Sequence, residues 1–220
     1  MTLPDTDGLS YERYPASGSN LLLWVASERG LSDAERTAAQ KLAQSGMEVW
    51  QLDPGTSYWL PPLPSSMDAV PVQDMHRWIE AALATGKQVR VLAVARAAKP
   101  VLRATGTLPD RERAKVCVVL LYPNLYASAD PLDAPIYLSM GHQDGLQVLI
   151  LQPQKSAATP WLPDLIDTLQ TAGMRVQSAI LEKLREGYWV RDEANAFEIE
   201  AGKELDKMLR QYFDTLTCWK

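Results

Sequence analysis

Six short runs of apolar residues divide the chain, and most of the segments between them repeat apolar positions at helical spacing. The runs cover residues 21–25, 47–52, 89–94, 115–122, 146–151 and 176–181. Continuous apolar runs of this length are typical of strands that are buried on both faces of a parallel sheet. Amphipathic helices between such strands form right-handed crossovers over both faces. The pattern predicts an α/β fold, a three-layer α/β/α sandwich with a mostly parallel sheet of about six strands.

Start and stop signals support the predicted helices. Ser32 and Glu35 have the spacing of a capping box, in which the hydroxyl and the carboxylate each bond to the backbone of the other residue. The other predicted helices cover residues 71–84, about 95–104, 160–172 and about 196–216. Residues 1–19 are polar and rich in Pro and Gly, and we expect a lead-in there that forms an extended edge or an ordered tail. A single domain follows over residues 20–220.

Composition narrows the possible partners. The chain has 220 residues and a net charge of -5, and no dense basic run could neutralise several phosphates. We therefore expect no nucleic acid partner and no membrane insertion, since no apolar run reaches about 18 residues. Cytoplasmic localisation is the default expectation. Removal of an export signal upstream of Met1 stays open, as does the oligomeric state.

No cofactor or metal site is predicted. Neither G-x-G-x-x-G nor G-x-x-x-x-G-K-[ST] occurs in the chain. His76 and His142 are its two histidines, which makes a histidine-based zinc site or a histidine-dependent triad difficult to assemble. We expect His142 to be an exposed loop residue and His76 to lie on the polar side of its helix.

The stretch QVRVLAVARAAKPVLRAT, residues 88–105, passes from strand to small-residue turn to helix with almost no spacer. Further loops read WVASERG, LYPNLY, LILQPQKS and LREGYW after the first, fourth, fifth and sixth strands. In this order of strands and loops the chain resembles the α/β-hydrolase family over roughly residues 20–216. Members of that family carry their nucleophile in a G-x-S-x-G elbow between strand and helix.

The resemblance implies roles for individual positions. The nucleophile falls on Ala95, the acid on Ser156 and the histidine on Glu186, so the triad is degenerate at all three positions. The backbone amides of Glu28 and Arg96 fall where the family has its oxyanion hole, although the Glu28 carboxylate would oppose a developing negative charge. Without a triad, binding and backbone donors alone leave about 10³–10⁴-fold catalysis over water, which is little for a dedicated enzyme.

Candidate ligand-pocket residues lie in the same loops. They are Ser27, Glu28, Arg96, Ser156, Glu186 and Tyr188. Arg96 could recognise an anionic ligand at the start of the elbow helix. A salt bridge from Arg96 to Glu28 or Glu186 across a closed pocket is the alternative.

A second surface is suggested by the loop over residues 53–66, where three consecutive apolar side chains accompany several prolines. Tyr58, Trp59 and Leu60 could form a docking surface for a partner protein. We favour a lid that packs on its own domain, because exposed aromatic patches are uncommon.

Three functional hypotheses follow from the sequence. The main one is a non-catalytic pseudo-enzyme of α/β-hydrolase type that binds a partner protein or a small ligand at the carboxyl-end loops. The second is a hydrolase that acts on an ester or thioester with an unconventional site built from Glu28, Arg96, Ser156 and Glu186, which requires a pocket. The third is a structural module of a larger assembly.

Overall fold

The computed structural model describes residues 10–128 and 135–215. In this part of the chain a seven-stranded sheet forms the centre of the molecule, with strand order β1-β3-β2-β4-β5-β8-β9. All neighbouring strands are parallel except β1, which pairs antiparallel with β3. The strands are β1 (Tyr11–Tyr14), β2 (Asn20–Val25), β3 (Met47–Leu52), β4 (Gln88–Val94), β5 (Val116–Leu121), β8 (Gln147–Pro153) and β9 (Arg175–Leu181), and β6 (Tyr126–Ser128) and β7 (Ile136–Tyr137) form a small separate sheet.

Helices cover both faces of the sheet, as predicted. They are α1 (Asp33–Gln44), α2 (Pro54–Ser57), α3 (Val72–Ala84), α4 (Ala98–Gly106), α5 (Asp110–Arg113), α6 (Leu162–Thr171), α7 (Ala196–Lys203) and α8 (Leu205–Thr215). The capping box of α1 is confirmed. None of the described helices is both long enough and apolar enough to cross a bilayer.

Two elements differ from the sequence prediction. The sheet has seven strands where about six were expected, because the lead-in forms an extended edge, β1, whose Tyr11 lies opposite Leu52. Residues 1–9 of the lead-in lie outside the described residues. The single helix predicted over 196–216 is divided at Glu204, which has φ -108° and ψ 22°. The Lys207 and Met208 amides donate to the Glu204 carbonyl, so that a new helix begins there and packs on α1, while α7 packs near Trp189.

A buried ion cluster attaches the edge strand at the amino end of β3. Glu48 Oε1 accepts hydrogen bonds from Arg13 Nε and Trp50 Nε1, both at 2.7 Å, and Glu48 Oε2 accepts from Lys87 Nζ at 2.6 Å. Burial alone would raise the pKa of the Glu48 carboxyl, but these hydrogen bonds lower it below its ordinary value. The carboxylate therefore joins β1, β3 and the segment before β4.

Replacing Glu48 by Gln is expected to lower the free energy of unfolding by about 3 kcal/mol, because one partner of a buried ion cluster is removed while its cations remain. Urea denaturation followed by circular dichroism measures this. Glu12→Gln is the matched control, since its side chain is 41% exposed against 4% for Glu48, and we expect a change below about 1 kcal/mol. Equal losses of unfolding free energy in the two variants would contradict a stabilising role for the ion cluster at Glu48.

Candidate active site

A cavity of about 970 Å³ lies at the carboxyl ends of the central strands. Each of five strands supplies part of its wall through the loop that follows it. The wall includes Glu28 after β2, Ala95 after β4, Tyr122 after β5, Ala158 after β8 and Glu186 after β9. This is the edge at which open α/β sheets place their ligands.

The elbow between β4 and α4 turns sharply at an alanine. Ala95 has φ +51°, a left-handed conformation that is uncommon for a residue with a Cβ. Its carbonyl accepts a hydrogen bond from the Asn124 amide at 3.1 Å. A single-turn helix over residues 95–97 then leads into α4. The Arg96 amide is in the first turn, where no intrahelical acceptor exists for it.

Replacing Ala95 by Gly tests this backbone conformation. We expect the free energy of unfolding to rise by about 0.5–1 kcal/mol, because Gly adopts positive φ without the steric cost that alanine carries. Ala97→Gly, two residues further on at φ -61°, should lower it by a similar amount. Thermal unfolding of both variants measures the difference, and a loss of stability in Ala95→Gly would contradict a strained elbow.

The structure brings together Ser156 and Glu186, to which the resemblance assigned the positions of the acid and the histidine. Ser156 Oγ donates a short hydrogen bond to Glu186 Oε1 and accepts one from the Ala158 amide at 2.9 Å. The serine hydroxyl is buried and lies behind the cavity wall, whereas the Glu186 side chain lines the cavity. The two loops are therefore adjacent, and Ser156 holds one oxygen of the Glu186 carboxylate.

Two tyrosines lie within the electrostatic field of Glu186. The pKa of Tyr122 is raised well above its ordinary value by burial and by the negative charges of Glu35, Glu28 and Glu186. The pKa of Tyr126 is raised by burial and by Glu186. Both phenols therefore keep their protons at neutral pH and can act as neutral hydrogen-bond donors beside the carboxylates.

The loop after β2 supplies a second carboxylate. Ser27 is buried, and its Oγ accepts a hydrogen bond from the Arg29 amide at 3.2 Å. Glu28 lines the cavity, and its Oε2 is buried without a hydrogen-bond partner among the described residues. A buried carboxylate oxygen without a partner carries a desolvation cost, which a bound donor or cation would offset.

Glu35 is a cavity residue that sequence reasoning assigned only to helix capping. Its Oε2 accepts hydrogen bonds from the Ser32 amide at 2.8 Å and the Ser32 hydroxyl at 2.7 Å. Burial raises the pKa of Glu35, and hydrogen bonds from Ser32 and the Trp189 side chain oppose that rise. Glu35 can both cap α1 and line the cavity because the start of α1 faces the cavity.

Arg96 and Tyr188 do not line the cavity, in contrast to the expectation from sequence. Arg96 Nη1 donates to the Asn124 side chain at 2.8 Å and the Tyr126 carbonyl at 2.7 Å, so it fixes the loop after β5. It makes no salt bridge with Glu28 or Glu186 among the described ion pairs. Tyr188 is buried in the core, where its ring packs edge-on against Trp189 at 5.0 Å.

The loop after β3 packs partly on the domain. Tyr58 Oη donates to Asp74 Oδ2, and the side chains of Tyr58 and Leu60 contact the hydrophobic core. Trp59 differs from both, since it is 93% exposed and has φ +55°. Of the three candidate docking residues, Trp59 alone projects from the surface.

Comparison with solved structures identifies the fold. An alpha/beta hydrolase enzyme from a Medee basin deep-sea metagenome library superposes with a TM-score of 0.65 at 12% identity, over 98% of this chain and 95% of that one. An esterase of Pyrobaculum calidifontis superposes with a TM-score of 0.61 at 14% identity, over 95% of this chain and 84% of the esterase. Esterase 2 of Thermogutta terrifontis with bound propionate superposes with a TM-score of 0.58 at 15% identity, over 98% of this chain and 93% of the esterase. No protein-family model and no curated protein matches the sequence.

The chain thus has the α/β-hydrolase fold, with a mostly parallel sheet, as the sequence predicted. The expectation of a non-catalytic binding protein is wrong. It rested on three missing triad side chains, whereas the solved structures that share the fold are esterases and hydrolases. The ester hydrolase that we kept as an alternative agrees better with these neighbours.

Proposed function

We propose that this protein hydrolyses small carboxylic esters or thioesters by activating water with Glu186, without the serine, acid and histidine of the family's triad. The observation that carries the proposal is the left-handed elbow at Ala95 in the wall of a cavity that also contains the Glu186 carboxylate. An elbow of this shape is costly for alanine, and strained backbone of this kind is concentrated at functional sites.

Backbone donors in the elbow support an oxyanion site. In the family the hole consists of the amide after the nucleophile and an amide from a second loop, which correspond here to Arg96 and Glu28. Neither amide depends on side-chain identity, so the substitution of serine by alanine leaves both in place. Preorganised donors of this kind contribute about 10²–10³-fold each.

The attacking group is water, because the methyl of Ala95 cannot form an acyl-enzyme. The water oxygen attacks the carbonyl carbon while the Glu186 carboxylate takes one of its protons. The oxyanion then collapses, the C–O or C–S bond breaks, and the leaving alcohol or thiol takes the proton from Glu186. The products are the free acid and the alcohol or thiol.

Ser156 positions this base. Its hydroxyl donates to Oε1 of Glu186 and thereby restrains the carboxylate within the cavity. The second oxygen is then available for the water. A restrained base is more effective than a mobile one because less orientational freedom is lost on reaching the transition state.

Apolar side chains in the cavity wall provide a surface for the acyl or alkyl group of an ester. Ala157, Ala158 and Val190 line the cavity beside Trp161. The Thermogutta terrifontis neighbour was solved with propionate, a three-carbon acid. We therefore place acetate and propionate esters first among the substrates to be tested.

Hydrolysis of p-nitrophenyl acetate, propionate and butyrate, and of an acetyl thioester, tests the proposal. We expect turnover by the wild-type protein and a fall in kcat of at least about 10²-fold in Glu186→Gln, because a general base contributes 10²–10⁴-fold. Glu182→Gln is the matched control, since Glu182 is exposed four residues earlier and does not line the cavity. Equal rates in the wild type and Glu186→Gln, or no wild-type rate above buffer, would contradict the proposal.

A further inference from the structure

The charges in the cavity wall are unbalanced. Carboxyl groups come from Glu28, Glu35, Glu186, Asp192 and Glu193. Within the described part of the chain, the guanidinium groups of the wall come from Arg29 and Arg191 alone. Among the described residues no ion pair involves any of these seven side chains, and Arg191 Nη1 donates instead to the backbone carbonyl of Glu186 at 3.4 Å. A cleft with such an excess of one sign attracts ligands of the opposite charge and repels those of the same charge.

Aromatic rings line the same cavity. Tyr122, Tyr126, Trp161 and Trp189 all contribute to its wall. Trp161 retains 37% of its surface exposed, and its carbonyl accepts a hydrogen bond at 3.0 Å from Tyr137, whose ring packs against Tyr126 at 5.4 Å. These contacts hold the backbone at Trp161 and the ring of Tyr126 in place, and the faces of electron-rich rings are the groups that bind alkylammonium cations.

We propose that the cavity selects esters carrying an alkylammonium cation over neutral and anionic esters. The part of this proposal that concerns esters rests on the proposed function, whereas binding of the cation does not. Arg29 and Arg191 are the groups that would favour an anion, but the carboxylates outnumber them and aromatic faces give an anion no favourable contact.

The Glu28 carboxylate, which lines the cavity, gives the cation a specific site. Its Oε2 is buried without a hydrogen-bond partner among the described residues. An ammonium group beside Glu28 would offset the cost of that burial. It would also reduce the repulsion between the Glu28 carboxylate and an oxyanion at the neighbouring amides, so a cationic substrate removes an obstacle that a neutral one retains.

Three probes of nearly equal shape test the cation preference by isothermal titration calorimetry. They are choline, the neutral alcohol 3,3-dimethylbutan-1-ol, and the anion 3,3-dimethylbutanoate. We expect choline to bind at least about tenfold more tightly than the neutral alcohol, as a cation–π and carboxylate site implies. The anion should bind most weakly, and added salt should weaken choline binding. Equal affinities for choline and the neutral alcohol, or no choline binding, would overturn the proposal.

Variants locate the bound cation. Glu28→Gln and Trp161→Ala should each weaken choline binding at least about fivefold, while Glu182→Gln should leave it within twofold. Circular dichroism and thermal unfolding verify that each variant is folded. Undiminished choline binding by folded Glu28→Gln and Trp161→Ala would overturn the assignment to this cavity.

Turnover separates this proposal from the proposed function. Acetylcholine and 3,3-dimethylbutyl acetate differ only in the charged nitrogen, and we expect kcat/KM to be at least tenfold higher for acetylcholine. Equal turnover of both esters would overturn the selectivity while supporting hydrolysis. Selective binding of choline without turnover of either ester would support the selectivity while contradicting hydrolysis.

Discussion

The triple variant Ala95→Ser, Ser156→Asp, Glu186→His is expected to react with a fluorophosphonate probe and to hydrolyse p-nitrophenyl acetate at least about 10²-fold faster than the wild type. The reason is geometric. The elbow backbone is already left-handed at Ala95, and Ser156 and Glu186 are already within hydrogen-bonding distance of each other. The acid and the imidazole would therefore meet, and a complete triad contributes far more than a single base.

The double variant Ser156→Asp, Glu186→His serves as the control, since it has the same new charges but no nucleophile. It should show neither labelling nor a gain in rate. Intact-mass analysis after probe treatment gives the stoichiometry. A folded triple variant that remains unlabelled would show that these loops do not stand in the arrangement of a triad.

Replacing Glu198 by Gln is expected to cost about 3 kcal/mol of stability. Glu198 is fully buried, and its oxygens accept from the Arg185 backbone at 3.1 Å, from Arg185 Nε at 2.8 Å, from Arg185 Nη2 and from the Asn195 amide at 3.2 Å. Removal of one partner from a buried pair is strongly destabilising, and the part-exposed Arg185 puts the cost at the lower end of the range. Glu200→Gln, in an exposed pair with Lys203, should cost below about 0.5 kcal/mol.

The same carboxylate makes stability depend on pH. Hydrogen bonds from Arg185 outweigh burial and lower the pKa of Glu198 to about 2. A lowered pKa contributes stability that is fully present above the ordinary value of about 4.3 and is lost as pH falls towards the folded value. The difference in unfolding free energy between the wild type and Glu198→Gln should therefore shrink between pH 6 and pH 3. Urea titrations at both pH values measure it, and a constant difference would contradict this assignment.

Loss of the Glu198 carboxylate should also lower activity. Arg185 directly precedes Glu186, and its side chain ties the loop to the start of α7. Loss of the ion pair between Arg185 and Glu198 increases the motion of the proposed base, Glu186. We therefore expect kcat to fall more than KM rises. A rise in KM alone, measured with p-nitrophenyl acetate, would contradict a role in positioning Glu186.

Local signals in the sequence predicted most of the sheet and its helices. The buried central strands are continuous apolar runs, and the capping box of Ser32 and Glu35 has a fixed spacing. For the lead-in we expected an extended edge or an ordered tail, and YERY is too short and polar to decide between the two. Its place at the sheet edge depends on the long-range contacts of Glu48. In the sequence Glu48 is 35 positions from Arg13 and 39 positions from Lys87.

The candidate site was predictable in its positions but not in its contacts. The strand order located Ala95, Ser156 and Glu186 in neighbouring loops. The orientation of Arg96 was not predictable, because its acceptors at Asn124 and Tyr126 are presented by a turn that begins at Tyr122 with φ +39°. The role of Glu35 in the cavity wall was also hidden, since its capping pattern accounts for the residue without any reference to the site.

Inference of function from the missing nucleophile failed for a related reason. The sequence shows which side chain stands at Ala95, but it does not show that a left-handed elbow and a cavity remain around it. The backbone donors that the resemblance places at Glu28 and Arg96 do not depend on side-chain identity, so the missing nucleophile says nothing about them. A carboxylate in the cavity can serve a water-based reaction, which the comparison with a serine triad leaves out.

The most direct test of a water-based site is the rate of p-nitrophenyl acetate hydrolysis after the wild-type protein is incubated with excess fluorophosphonate. We predict an unchanged rate and an unchanged protein mass, because the elbow residue, Ala95, has no hydroxyl to react. Stoichiometric labelling with loss of the rate would reveal a nucleophilic side chain and would contradict hydrolysis by Glu186 and water.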